Sequence, residues 1–237
     1  MLRRTVSEGL GTALLLSTIV GSGIMGSRLS DGDAAMTLLV NSLATGLVLS
    51  VLVVVLAPLS GAHLNPAVTL LEVFRRRAPP GDLAPYMAGQ ILGGFVGVVV
   101  AHLMFGEQAF EASHHARNGA AQLLSEFVAT FGLFTVLRGT ARRRPEVTAM
   151  AVGGYITAAY WFTASTAFAN PAVTLARCAT DTFAGIRPRD VPGFIMAQLL
   201  GAAAATSAFS WLDRNQQEIA EDAQPTETVR AAGPGRP

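Results

Sequence analysis

The chain has 237 residues, of which only 14% are charged and 51% hydrophobic, and its formal net charge of +1 points to no particular partner. A soluble domain averages about 25% charged residues, so this composition argues against one. Cys178 is the only cysteine, which excludes an intramolecular disulfide and a cysteine-based metal site.

The charges fall in blocks. No Asp, Glu, Lys or Arg lies between Glu8 and Arg28, Asp33 and Glu72, Asp82 and Glu107, Glu146 and Arg177, or Asp190 and Asp213, and Gly119 to Leu137 holds only Glu126. A helix that crosses a bilayer needs about 20 mostly apolar residues. Six spans fit, in chain order at roughly 6–26, 35–57, 83–104, 120–138, 148–166 and 190–212. They are dense in Gly, Ala, Ser and Thr, which allows close helix packing in lipid. The charge-free runs 34–71 and 147–176 are too long for single spans, and each carries a proline near its end, Pro66 and Pro171. Each reads as a full span followed by a segment that dips into the membrane and returns. Irregular backbone at that depth is tolerated only inside protein or along a water-filled cavity.

All 17 basic residues are arginines. With both termini inside, twelve lie on the inner side (Arg3, Arg4, Arg75, Arg76, Arg77, Arg138, Arg142, Arg143, Arg144, Arg214, Arg230, Arg236) and five outside (Arg28, Arg117, Arg177, Arg187, Arg189). That bias predicts cytoplasmic termini. The runs Arg75–Arg77 and Arg142–Arg144 read as topology signals rather than as nucleic-acid sites. Arg3 and Arg4 before an apolar run imitate a signal peptide, but five more spans follow, so the first helix is expected to stay. From about Asp213 the composition turns to Gln, Glu, Pro, Gly and Thr, and residues 213–237 are expected to form a disordered cytoplasmic tail. Residues 1–212 are then expected to form one membrane domain.

An internal repeat organises that domain. Asn65-Pro66-Ala67-Val68-Thr69-Leu70 recurs as Asn170-Pro171-Ala172-Val173-Thr174-Leu175. Glu8, in Glu-Gly-Leu-Gly-Thr, matches Glu126, in Glu-Phe-Val-Ala-Thr, and Gln90-Ile-Leu-Gly matches Gln198-Leu-Leu-Gly. The markers keep their order in the two halves, about 6–105 and 120–212. Three spans per half is an odd number, so the halves are inverted in the membrane. Such repeats place the working site near the midplane at their interface. The repeated hexamer itself reads as a helix start, with Asn as N-cap and Pro at the first helical position. Two half-helices would then meet N-terminus to N-terminus. Each end carries roughly half a positive charge, which repels cations, and side-chain N–H groups of Asn65 and Asn170 facing the lumen would interrupt a proton-conducting water chain.

Ser60-Gly-Ala-His63-Leu-Asn65-Pro-Ala-Val-Thr resembles the first signature of the aquaporin and glycerol-channel (major intrinsic protein) family, and the second Asn-Pro-Ala, both glutamates and Gln198-Leu-Leu-Gly match as well. The likeness extends over about residues 6–212 and is to the bacterial arsenic-resistance-associated aquaglyceroporins in particular. It implies an all-α membrane protein of six transmembrane helices and two re-entrant half-helices in an inverted 3+3 repeat. It also implies a homotetramer that passes small neutral solutes and water; the all-arginine basic set and simple loops suggest a bacterial cytoplasmic membrane, and no cofactor or metal is expected. Within it, Glu8 and Glu126 are expected to brace the re-entrant loops rather than relay protons, and the backbone of His63 to shape the inner vestibule.

The resemblance breaks at the selectivity filter. The family typically has Arg directly after the second Asn-Pro-Ala, where this chain has Val173. Family spacing assigns the other filter positions to Thr45, Ala158 and Ala167, none aromatic and none charged. A wide, weakly polar constriction is expected, suited to glycerol-like polyols and uncharged metalloid hydroxides such as arsenous acid. Arg177, one helical turn beyond Val173, either bends back to replace the missing charge or pairs with Asp181, the latter being somewhat favoured. Phe162 and Phe168 are further candidates to lean into the gap. The alternatives are a strict water channel and an ion-coupled transporter.

Overall fold

The computed structural model describes residues 1–141 and 145–222. Among these residues there is no strand, and eight α-helices follow in order: α1 (Leu2–Leu29), α2 (Ala34–Ser60), α3 (Pro66–Phe74), α4 (Leu83–Phe105), α5 (Ala120–Ala141), α6 (Pro145–Phe162), α7 (Pro171–Ala176) and α8 (Val191–Asp222). Six are long and two short, α3 having 9 residues and α7 only 6. Five stretches are long and apolar enough to cross a membrane by themselves: α1, α2, Pro80–Phe105, Ala120–Thr140 and Pro188–Asp213. The 18-residue α6 packs against α2 and α5 in the same bundle. It stops at Phe162, short of residue 166, because the chain there leaves the helix to dip back inward. At the other end of the domain α8 continues helically past Asp213 to Asp222. The change in composition at Asp213 therefore does not end the helix. Residues 223–237 of the expected tail lie outside the described residues.

The bundle has a pseudo-twofold pattern of contacts. α1 packs on α4 as α5 packs on α8; α1 meets α2 as α5 meets α6; and α2 crosses α6 between the halves. Close approach depends on missing side chains. A Cβ on Gly93 of α4 would sit 2.1 Å from the carbonyl oxygen of Gly9 on α1, and one on Gly153 of α6 would sit 2.2 Å from that of Gly46 on α2. Small residues at such crossings let backbones touch, the usual means of helix association where lipid offers no hydrophobic gain.

The two core clusters show how the halves interlock. Leu15, Leu16, Ile19, Leu56 and Val98 of the first half enclose Val173 and Ala176 of α7. Phe134, Val152, Ile156, Tyr160 and Ala202 of the second enclose Ala67 of α3. Each half-helix is thus held by its own repeat and inserted into the other; α3 also contacts α8, and α7 contacts α4. The outer surface is apolar too, with Leu47, Val51, Val54, Leu92, Leu103 and Met196 exposed. Helices hydrophobic all round, on a surface this apolar, fit a lipid environment.

Candidate functional site

The site begins with the caps of α3 and α7. Asn65 and Asn170 are both extended, with φ of −157° and −155°. The side-chain oxygen of Asn65 accepts the N–H of Ala67 at 2.9 Å. That of Asn170 accepts those of Ala172 at 3.0 Å and Val173 at 3.3 Å. Pro66 and Pro171 occupy the first helical positions, where a missing N–H costs nothing. The two caps then reach across the pseudo-axis. Asn65 Nδ2 donates to the carbonyl of Ala169 at 2.9 Å, and Asn170 Nδ2 donates to that of Leu64 at 2.8 Å. The half-helix N-termini are thereby stitched face to face in the middle of the bundle.

The loops that lead into the caps are strained. Ala62 and Leu64 before α3 have φ of 48° and 49°, and Thr166, Ala167 and Ala169 before α7 have φ of 61°, 48° and 49°. Left-handed non-glycine residues cost of order 1–3 kcal/mol each and persist only where their surroundings over-determine them. The buried carboxylates supply that constraint. Glu8 Oε1 accepts the Ser60 hydroxyl at 2.6 Å and the His63 N–H at 3.0 Å; its Oε2 accepts the Leu64 N–H at 2.6 Å and Gln90 Nε2 at 2.8 Å. Glu126 accepts the N–H groups of Phe168 and Ala169, both at 2.9 Å, and Gln198 Nε2 at 2.6 Å. Gln90 and Gln198 each donate onward to the hydroxyls of Thr69 and Thr174, which in turn donate to the carbonyls of Asn65 and Asn170. Each carboxylate is thus wired to its own cap. The His63 ring packs edge-on to Tyr86, with centroids 5.3 Å apart.

A cavity of about 790 Å³ runs beside these caps. It begins at the face bearing the N-terminus, among Arg4, Glu72, Arg75 and Arg138, and passes His63, Asn65, Val68 and Ile156. It ends at Thr45, Tyr160, Phe168, Val173 and Arg177, with Ala167, Ala169 and Asn170 along its wall. Thr45, Ala167, Val173 and Arg177 are all buried and all line it.

Ala158 does not. It lies on the exposed side of α6, away from the cavity. On a helix of 3.6 residues per turn, the α6 side chains that face inward are Val152, Ile156 and Tyr160, and Ala158 falls midway between the last two, on the opposite side. The inner residue here is therefore an aromatic one, and its hydroxyl donates to Thr45 Oγ1 at 3.4 Å. Phe162 is likewise outside, 57% exposed and edge-on to Tyr155.

Arg177 is the largest fully buried side chain. Its Nε donates to the carbonyl of Ala184, and its guanidinium carbon lies 3.4 Å from the centroid of Phe168. The anticipated pair with Asp181 does not form. Asp181 instead takes the N–H and Nδ1 of His114 at 2.8 and 3.1 Å. The end of the cavity is therefore aromatic and cationic, not the apolar opening that family spacing implied.

One contributor to this region was hidden in the sequence. Arg117, in the loop between α4 and α5, donates from Nε to Gly185, from Nη1 to Ser165 and from Nη2 to Phe183, all at carbonyls, and sits 4.9 Å over Phe168. Its sequence signal was only that of one more outer arginine. Tyr160 was signalled better, since it continues the inward i, i+4 row of Ile156.

An inverted repeat in a membrane bundle, with a continuous cavity along the meeting point of its two half-helices, defines a channel. The chain belongs to the major intrinsic protein family, whose profile matches residues 1–159 and 143–232. It is 49% identical over 223 residues to aquaglyceroporin AqpS of Rhizobium meliloti (strain 1021), covering 94% of this chain and 95% of that one. It is 26% identical over 247 residues to aquaporin NIP1-1 of Arabidopsis thaliana, covering 97% and 81%. The X-ray structure of the aquaglyceroporin from Plasmodium falciparum shares the fold, with a TM-score of 0.65 at 23% identity over 86% of this chain and 93% of that one. The chain is accordingly a multi-pass membrane channel that acts by passive passage of small solutes, not an enzyme.

Proposed function

We propose that the channel passes glycerol-like polyols and uncharged metalloid hydroxides such as arsenous acid, together with water, down their gradients. Asn65 and Asn170 form its midpoint, and Thr45, Ala167, Val173 and Arg177, with Tyr160 and Phe168, form its filter. The observation that carries this reading is the cavity's composition. Its lining is aliphatic at Leu15, Ile19, Val68 and Ile156 and also carries the Thr45 and Tyr160 hydroxyls and the Arg177 guanidinium. A polyol has one apolar edge and a row of hydroxyls, and such a surface accommodates both. The likeness to a protein named as an aquaglyceroporin points the same way. We further infer a homotetramer, on the family resemblance, in a bacterial cytoplasmic membrane with both termini cytoplasmic, on the arginine asymmetry and the rhizobial relative.

Stopped-flow uptake into proteoliposomes tests the reading, with water, glycerol and arsenous acid compared. Fast glycerol and arsenous acid entry is expected, and Val173→Arg should cut both while sparing water. Equal glycerol flux in that variant would sink the filter assignment. A strict water channel is the second reading, favoured by one observation: two large polar side chains, Arg177 and Tyr160, line the end of the cavity. It predicts fast water and no glycerol entry, and Arg177→Ala would then open the pore to glycerol. An ion-coupled transporter finds less support, since Glu8 and Glu126 are both committed to backbone N–H groups.

A further inference from the structure

We propose that the constriction holds a binding subsite for one small monovalent oxyanion, with Arg177 as its ligand and Arg117 as the second charge behind it. The inference rests on the constriction's lying in the solute path. Its basis is a charge imbalance. Arg177 and Arg117 both stack on Phe168, at 3.4 and 4.9 Å from its centroid, so two positive charges share one ring.

Among the described residues neither guanidinium is paired with a carboxylate. Arg177 is bonded to a carbonyl, Arg117 to three carbonyls and the Thr166 hydroxyl. The nearby acids are otherwise engaged. Both oxygens of Glu126 bind the loop N–H groups and Gln198, Asp181 binds His114, and Asp190 takes the Arg117 backbone N–H and pairs with Arg187.

Arg177 is only 1% exposed, and its Nη1 is buried without a hydrogen-bond partner although the side chain lines the cavity. A buried charge is costly unless it is paired and hydrogen-bonded. A planar guanidinium edge matches the two oxygens of a carboxylate or similar oxyanion, and the Tyr160 and Thr45 hydroxyls stand at the same end of the cavity. Arg117 has spent its N–H groups on the loop, so it contributes field rather than contacts. One unpartnered donor group, Nη1, suits one monovalent ligand.

The test uses the full-length channel in proteoliposomes, with water and glycerol fluxes read in potassium nitrate against equimolar potassium gluconate. Nitrate is ionised at every working pH and small; gluconate is too bulky to enter. The expected result is a saturable fall of flux with nitrate, to half when its concentration equals its dissociation constant. Arg177→Met should abolish the nitrate dependence, and Arg117→Met should shift it to higher nitrate. Wild-type fluxes that are identical in the two salts overturn the proposal, as does undiminished nitrate sensitivity in folded Arg177→Met. If Arg177→Met does not fold, Arg177→Lys replaces it and should weaken the inhibition, because an ammonium cannot reproduce the planar guanidinium and the position of its Nη1. Should glycerol not pass at all, the salt comparison on water flux still decides the subsite, so the two readings fail separately.

Discussion

Removal of the Glu126 carboxylate should destabilise the channel far more than its single charge suggests. In Glu126→Ala the N–H groups of Phe168 and Ala169 lose their acceptor in the interior, and Gln198 keeps only Thr174. Each orphaned buried donor costs about 1–3 kcal/mol, so two cost roughly 2–6 kcal/mol, before counting the left-handed residues Ala167 and Ala169 that the carboxylate holds in place. At about 2–4 °C per kcal/mol for a chain of 150–250 residues, a loss near 4 kcal/mol lowers the unfolding midpoint by about 8–16 °C. Glu8→Ala should cost more, since that carboxylate serves four donors rather than three. Glutamine variants should fall between, because an amide offers one acceptor and turns its NH2 toward another donor. The assay is thermal unfolding of the purified protein in detergent, followed by tryptophan fluorescence, beside flux in proteoliposomes. Alanine variants within about 2 °C of wild type, well below the roughly 2 kcal/mol floor, would refute the bracing argument. So would a Glu126→Gln variant that keeps its unfolding midpoint yet loses flux in a pH-dependent manner, the behaviour of a proton relay.

Four further outcomes follow from the same contacts. Gly93→Ala should abolish stable expression, because its Cβ would lie 2.1 Å from the Gly9 carbonyl, whereas Gly154→Ala, with nothing within 4 Å, should leave the chromatographic profile unchanged. Asn170→Asp should place a carboxylate against the Leu64 carbonyl, where an N–H now donates, and is expected to admit a cation leak measurable as current in planar bilayers. The His114 N–H holds the Asp181 carboxyl below its ordinary value, so that tether is complete above pH ~3.9 and is lost as pH falls through the lower native value; amide exchange at His114 should accelerate only in that acid window, and Asp181→Asn should remove the pH dependence. Tyr160→Phe should change the ratio of glycerol to water flux, whereas Ala158→Phe, on the outer face of α6, should leave it unaltered.

The fold was legible because its determinants are local and repeated. Charge-free runs mark the spans, and Asn-Pro at both cap positions marks the half-helices. The order Glu, Asn-Pro-Ala, Gln in each half gives the inversion. Every one of those residues acts on a partner fixed by the same pattern, as Glu8 does on His63 and Leu64. The end of the cavity was less legible because its residues come from three segments that no shared motif ties together. Ala158 was assigned by spacing carried over from relatives, but on a helix an error of two residues rotates a side chain by about 200°; it exchanged a small outward residue for the inward Tyr160. The helix bounds had less effect, since α6 ends at Phe162 whether or not the filter position is read correctly.

The arginine shows the same limit from the other side. A filter cation is sought at the position after Asn170-Pro171-Ala172, which here holds Val173, a residue that lines the cavity and also packs in the cluster of Leu15, Leu16 and Val98. The charge enters one turn later, where α7 has already ended and a short 3-10 turn, Arg177–Ala179, changes the direction of the chain. That change of direction lets a residue somewhat favoured to pair with Asp181 fold back onto Phe168 and reach the cavity. The Ala184 carbonyl and Arg117 meet the arrangement from two loops whose conformations no periodicity announces. In the proposed filter, a charge absent from one position in the motif is thus supplied in space through a helix kept to 6 residues. Extending α7 by one further regular turn should therefore turn Arg177 away from Phe168, and a chain so altered should lose both its nitrate sensitivity and its cation exclusion together.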